Sequence, residues 1–182
     1  GVCGRGCRVL MGRGCGGAGT RDLQNGGPHL RVAGTTGSGK SELLRSLTVA
    51  LAPSYPPDRI NFLFVDVKGG SGLGPLIGLP HCVGMLTDLS SHELERALQS
   101  LRAEIKFREQ SLAAVQAPDL TSFRATSAGR ASPPPRLVIV LDELLMLVDD
   151  SPESLRELLT DACRPRSLAN HPTHAPQPPQ RN

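Results

Sequence analysis

An α/β fold, with a mostly parallel sheet flanked by helices, is predicted by three observations in this 182-residue sequence. Short apolar runs alternate with amphipathic segments, the order expected of strand-helix-strand units. The run INFLFVDV at 60–67 is almost continuously apolar, as a strand covered by helices on both faces must be. The stretch GTTGSGKSE at 34–42 stands between an apolar run and an amphipathic one, the place of a strand-to-helix loop that holds phosphate.

Residues 1–21 read as a leader: the first 20 hold eight glycines and almost no apolar periodicity, so regular structure is not expected there. Residues 22–162 read as the folded domain. Its first strand is expected at Leu30 to Ala33, with the turn beginning at Gly34. A helix from Ser41 to Ala52 follows, because Leu43, Leu44, Leu47, Ala50 and Leu51 recur at three- and four-residue spacing. Pro53, Pro56 and Pro57 end it, and Ile60 to Val67 forms the second strand.

The segment KGGSGLGPLIGLPH reads as a loop. A long helix is expected from Ser91 to Val115, where Ser90 with Glu93 fits a capping box and Leu94, Leu98, Leu101, Ile105 and Leu112 form one stripe. After Pro118 and the prolines at 133–135, LVIVL makes a third strand, Leu137 to Leu141. Ser151 and Pro152 suit the start of a further helix. The tail, 163–182, holds five prolines and is expected to lack regular structure.

The formal charge of +3 misleads as to partners. Residues 1–21 and 162–182 carry seven arginines and no acid, which leaves 13 of the 20 Lys and Arg against all 17 Asp and Glu in between. The folded part is acidic, so the basic balance argues for no nucleic-acid patch. Five cysteines without paired CxxC spacing give no zinc site. No apolar run reaches the ~18 residues of a membrane span, and residues 1–20 have no apolar h-region, so a cytoplasmic place is expected for this segment.

Gly34-x-x-x-x-Gly39-Lys40-Ser41 fits the P-loop pattern with a strand before it and a helix after it. The glycines let the backbone of Gly34, Thr35, Thr36, Gly37, Ser38 and Gly39 wrap closely and turn its N–H groups inward, and Glu42, in the first helical turn, is expected to bind nucleotide together with them. The helix N-terminus adds partial positive charge. Lys40 is expected to reach the β and γ phosphates of ATP, and the Ser41 hydroxyl to ligate Mg²⁺.

Asp142 and Glu143, at the end of LVIVL, form the second element. An acid at the carboxyl end of a buried parallel strand points into the crevice where such sheets bind ligands. Asp142 is expected to hold Mg²⁺ through water and Glu143 to polarise the attacking water, the alternative being that both acids cap the following turn. A water-activating acid favours hydrolysis over transfer to an acceptor. Asp66-Val-Lys-Gly-Gly70 leaves the second strand on the same rim, where Lys68 either meets phosphate or a neighbouring subunit or is simply solvated. His81 either packs in a turn or serves catalysis.

The runs PHLRVAGTTGSGKSELLRSL, PDRINFLFVDVKGGSG, LPHCVGMLTDL, ELERALQSLRAEIKFREQSL and LVIVLDEL, in that order over residues 22–150, resemble the FtsK/SpoIIIE ATPase domain. KSE after the P-loop and VDVKGG are similar to the type VII secretion branch with EccC-like FtsK domains. The resemblance implies a RecA-like P-loop NTPase that self-associates into rings or arrays and moves DNA or secreted protein, at the cytoplasmic face of a membrane with anchored partners. It assigns Gly34 to Ser41 to nucleotide, Asp142 to Mg²⁺ and Glu143 to catalysis. The polar sensor strand that follows the acids in that family has no counterpart here, so an incomplete sheet is expected. The competing function is an ATP-binding module without turnover that acts through a partner. Lys40→Ala is expected to abolish ATP·Mg²⁺ binding in calorimetry, and unchanged affinity would remove the P-loop reading.

Overall fold

The computed structural model describes residues 8–14, 17–22, 30, 32–33, 35, 37–66, 72–87, 91–142, 153, 156 and 160. In chain order it contains β1 (Arg8–Gly14), β2 (Gly17–Asp22), α1 (Lys40–Leu51), β3 (Ile60–Asp66), β4 (Cys82–Thr87), α2 (Ser91–Ala114), α3 (Leu120–Ala125), α4 (Ser127–Ala131) and β5 (Arg136–Asp142). Short 3₁₀ turns at Ala52–Ser54 and Gly74–Gly78 follow α1 and precede β4.

Three strands form a parallel sheet in the order β4-β3-β5. β3 is central and reads as the sequence predicts, because both of its faces are covered. Ile60, Phe62 and Phe64 point to one side, where they pack with Leu51 and Ala52, and Leu44 and Leu47 of α1 close over them. Val65 points to the other side and meets Leu98, Leu101 and Ile105 of α2. β5 divides in the same way: Val138 and Val140 join the α1 side, and Leu137, Ile139 and Leu141 the α2 side. The result is a helix-sheet-helix sandwich whose deepest residues are Phe62 and Phe64, each 0% exposed and stacked at 6.0 Å between ring centroids.

α2 ends where Gln116 adopts φ 55, a left-handed residue that turns the chain and lets Ala117 N–H bond to the Leu112 carbonyl at 2.9 Å. The Asp119 carboxylate then caps α3 by accepting from Ser122 N–H at 2.7 Å, and the Thr126 hydroxyl caps α4 by accepting from Gly129 N–H at 3.0 Å. Leu112, Leu120 and Phe123 bury one another beneath this corner.

The structure departs from the sequence reading in four places. The glycine-rich leader carries an antiparallel pair, β1 with β2, in register from Arg8↔Asp22 to Gly14↔Gly17. Leu30, Val32 and Ala33, read as the first strand, have no strand conformation. So short a run gains few ladder bonds, and among the described residues no strand pairs with the edge of β5 away from β3. β4 falls directly after residues read as loop, and α3 with α4 falls where no helix is expected. Beyond β5, Glu153, Arg156 and Thr160 are helical, and the Thr160 hydroxyl donates to the Arg156 carbonyl at 2.7 Å, in accord with the helix expected after Ser151 and Pro152. The tail from Cys163 lies outside the described residues.

Phe62→Ala is expected to lower stability by about 3 to 5 kcal/mol, because it empties a fully buried position in the core between the sheet and α1. Urea denaturation followed by circular dichroism measures it.

Candidate nucleotide site

The loop before α1 is built on two left-handed glycines, Gly37 at φ 77 and Gly39 at φ 85. A side chain at either would be strained, so the glycines of the motif are required by the path of the chain. Ser38 N–H closes the loop onto the Thr35 carbonyl at 3.1 Å, and the Lys40 ammonium donates to the same oxygen at 2.8 Å. Lys40 thus bridges the mouth of its own loop, where a phosphate oxygen would compete for the same donor.

Gly39 is the N-cap of α1 and supplies no side-chain cap to the helix. α1 therefore begins beside the loop with no side-chain cap from its N-cap residue, and the helix dipole adds positive character there. Glu42 suits the first turn electrostatically, but its exposed carboxylate pairs with Arg45. Its side chain takes no part in the loop. Gly34 and Thr36 lie outside the described residues.

The strand ends complete the site. Asp66 and Asp142 are the last residues of β3 and β5 and stand opposite each other in the parallel register. Both are buried, 2% and 5% exposed. The two-residue period that sends Phe62, Phe64, Val138 and Val140 toward α1 sends these two carboxylates to the same side. There they meet the start of α1. A Cβ placed on Gly72 would lie 2.7 Å from Asp142 Oδ2, 3.4 Å from Asp66 Oδ2 and 3.4 Å from Ser41 Cβ. One backbone position thus touches the P-loop serine and both strand-end acids.

The Asp66 carboxylate accepts from Gly72 N–H and Leu73 N–H, each at 3.2 Å, which ties the chain leaving β3 back to its own strand end. The sequence reading set the Asp66 segment on this rim and gave its chemistry to Lys68. Lys68 lies outside the described residues, and so does Glu143. The role of Asp66 as a loop anchor was missed, although an acid ending an apolar strand at the same position as Asp142 ends its own was the available signal.

The oxygen donors gathered here, a serine hydroxyl and two carboxylates, are the hard ligands that Mg²⁺ prefers, and Ser41 and Asp142 fit the places that such an ion needs beside a bound phosphate. His81 is elsewhere. It precedes β4 at the opposite pole, 5% exposed, with Nε2 donating to the Tyr55 carbonyl at 2.8 Å and the ring 5.9 Å from that of Phe62. It packs in a turn and takes no part in this site. A separate cleft of about 400 Å³ opens between the end of β4 and α2, lined by Met85, Thr87, Glu93 and Arg96 among others and by no P-loop residue.

Three comparisons bear on this arrangement. The sequence model of the FtsK/SpoIIIE family matches residues 6–180, a wider span than the motifs alone occupy. The chain is 37% identical over 158 residues to the ESX secretion system protein EccC of Geobacillus thermodenitrificans, covering 85% of this chain and 11% of that protein. It superposes on the cytoplasmic domain of the Thermomonospora curvata type VII secretion ATPase EccC with TM-score 0.79 and 31% identity, over 91% of this chain and 20% of the other. A second structure, ATPases 2 and 3 of the same EccC in complex with a signal sequence peptide, gives TM-score 0.76 at 26% identity, over 91% and 31%. The chain therefore spans about a tenth of the curated relative and a fifth of the first solved neighbour.

Asp66→Ala would leave two N–H groups at this rim without their acceptor, at about 1 to 3 kcal/mol each. Hydrogen exchange at Gly72 and Leu73 is expected to accelerate, while the amides in the middle of β3 stay protected. Equal acceleration along β3 would show that Asp66 holds the strand and not the loop.

Proposed function

The chain belongs to the FtsK/SpoIIIE family, with the P-loop ATPase fold of that family, and from that premise we propose that it binds ATP·Mg²⁺ at the α1 rim and hydrolyses it to drive translocation of a polypeptide. The observation that supports this reading best is the convergence of Ser41, Asp66 and Asp142 on Gly72 beside the Lys40 loop. A phosphate-binding loop alone serves many chemistries. A strand-end acid brought against the P-loop serine is what a hydrolase needs to hold the metal that accompanies the phosphates.

In this reading the N–H groups of Gly34 to Ser41 cradle the phosphates, and Lys40 leaves the Thr35 carbonyl to take a phosphate oxygen. The Ser41 hydroxyl and Asp142 would hold Mg²⁺, which would supply positive charge to offset that developing on the transferred group. Asp66 fixes the adjoining loop through Gly72 and Leu73. Glu143, the residue after Asp142, orients the attacking water and accepts its proton.

Translocation is a property of whole assemblies, and here it rests on the relatives. The curated relative is a secretion protein, and one solved neighbour holds a signal sequence peptide, which favours a secreted protein over DNA as the polymer moved. Among the described residues no helix is long and apolar enough to cross a membrane. Action at the cytoplasmic face of a membrane, in a ring or array with anchored partners, is part of the proposal.

Glu143→Gln is expected to keep ATP binding and slow hydrolysis by at least about 10²-fold, the usual effect of losing a general base. Binding by calorimetry and turnover by phosphate release separate the two. Turnover near that of the unmodified protein would favour a binding module over a motor.

A further inference from the structure

Gly72 is a glycine for a different reason from the glycines of the P-loop. Gly37 and Gly39 need their left-handed backbone, and nothing lies within 4 Å of a Cβ built on either. Gly72 is the reverse. Among the described residues the left-handed glycines are those two, yet a Cβ on Gly72 would stand 2.7 Å from Asp142 Oδ2, nearer than real Cβ atoms approach another heavy atom. Gly74 and Gly78, further along the same segment, have neither constraint. What demands glycine at 72 is the acid that faces it.

Gly72 cannot draw back from that acid. Its N–H and that of Leu73 both donate to Asp66 Oδ2 at 3.2 Å, and Leu73, 0% exposed, is buried with Leu76 in the α1-side core. Leu76 N–H then bonds to the Leu73 carbonyl at 2.9 Å, Leu79 N–H to the Leu76 carbonyl at 3.0 Å, and Cys82 N–H to the Leu79 carbonyl at 2.9 Å, which leads the chain into β4. The backbone side of the contact is held. The side that can give is the Asp142 carboxylate, the free end of a short side chain.

We propose that Gly72 is a positioning residue for the metal acid: its bare backbone leaves the room in which the Asp142 carboxylate lies beside Ser41, and a side chain there would turn that carboxylate aside. The inference rests on the reading above, in which Ser41 and Asp142 hold Mg²⁺. Asp142 Oδ2 and Ser41 Cβ both lie within 3.4 Å of the point that a methyl group at 72 would fill. Mg²⁺ demands nearly octahedral oxygen ligands at about 2.0 to 2.1 Å, so a displaced carboxylate is a lost ligand. The three atoms nearest to that point belong to Asp142, Asp66 and Ser41, and none belongs to Lys40. A methyl group there disturbs the holders of the metal and spares the lysine that meets phosphate.

The test measures fluorescence anisotropy of a labelled ATP analogue with the 182-residue chain, once in excess Mg²⁺ and once in EDTA. Mg²⁺ is expected to strengthen binding to the unmodified chain. In Gly72→Ala that gain is expected to need about 10- to 100-fold more Mg²⁺, the usual cost of disturbing a group that orients a metal ligand, while affinity in EDTA stays the same. Gly74→Ala, where a Cβ meets nothing within 4 Å, is expected to change neither affinity. Asp142→Ala is expected to lose the gain by itself, and adding Gly72→Ala to it to cause no further loss, because the two act at one contact. Four outcomes would overturn the proposal: an unaltered Mg²⁺ requirement in Gly72→Ala, equal weakening with and without Mg²⁺, the same loss in Gly74→Ala, or a Gly72→Ala chain without a cooperative thermal transition, which would show that the methyl group displaces backbone and not the acid. An unmodified chain that binds the analogue in neither condition would overturn the nucleotide reading itself, and this assignment with it.

Discussion

The register between β3 and β5 is the constraint on which the rest depends. Parallel pairing sets Ile60 opposite Arg136 and, six residues later, Asp66 opposite Asp142. Because side chains alternate, that pairing decides in one step that both acids face α1. A slip of one residue would turn Asp142 toward α2, into the company of Leu98, Leu101 and Ile105, and would bring Leu141 beneath the P-loop. The hydrophobic pattern forbids it. Phe62 and Phe64 lie in the α1-side core and Val65 in the α2-side core, so the strand has no second register that buries as much. The chemistry of the rim is thus specified by packing in the interior.

A parallel sheet has two unlike ends, and this protein uses them differently. At the carboxyl ends stand buried carboxylates, the uncapped start of α1 and a lysine bonded to its own loop. Those acids are tolerable where they are because backbone N–H groups meet Asp66, and a loop rich in positive partial charge lies beside both. At the amino ends the Arg124 guanidinium donates to the Arg59 and Pro134 carbonyls, which the strands leave behind.

What could be read from the sequence follows from how strongly each segment declares its environment. INFLFVDV and LVIVLD are uninterrupted apolar runs, and they became the centre of the sheet. The P-loop carried its own identity, because its path needs two left-handed glycines just before a lysine at a helix start. β4 was illegible for the opposite reason. Gly84 breaks the apolar run CVGMLT, and the loop signals of the preceding KGGSGLGPLIGLPH mask its beginning. Leu30 to Ala33 looked like a strand by local composition, yet a strand exists only where a neighbour offers hydrogen bonds, and composition cannot report a neighbour. Arg108 could not be foreseen as buried. On the α2 stripe it reads as an interruption of the apolar face, and the ion pair with Glu104 accompanies its burial there.

The two poles are also mechanically joined. α1 runs from Gly39 in the P-loop to Leu51, whose carbonyl accepts from Tyr55 N–H at 3.2 Å. The Tyr55 carbonyl takes the bond from His81, and the His81 carbonyl in turn accepts from Phe62 N–H at 2.8 Å. Pro56, next in sequence, accepts from Arg59 N–H at 2.8 Å. The path from the phosphate loop to the amino ends of the strands thus consists of one helix, a tight turn and bonds into the central strand. Packed interiors shift between discrete arrangements and deform little within each. A displacement of α1 that accompanies phosphate binding or release would accordingly carry Tyr55 to Arg59 with it as a unit. Under the proposed function, rigidity of this segment would keep a stroke begun at the P-loop from being absorbed before it reaches the far pole.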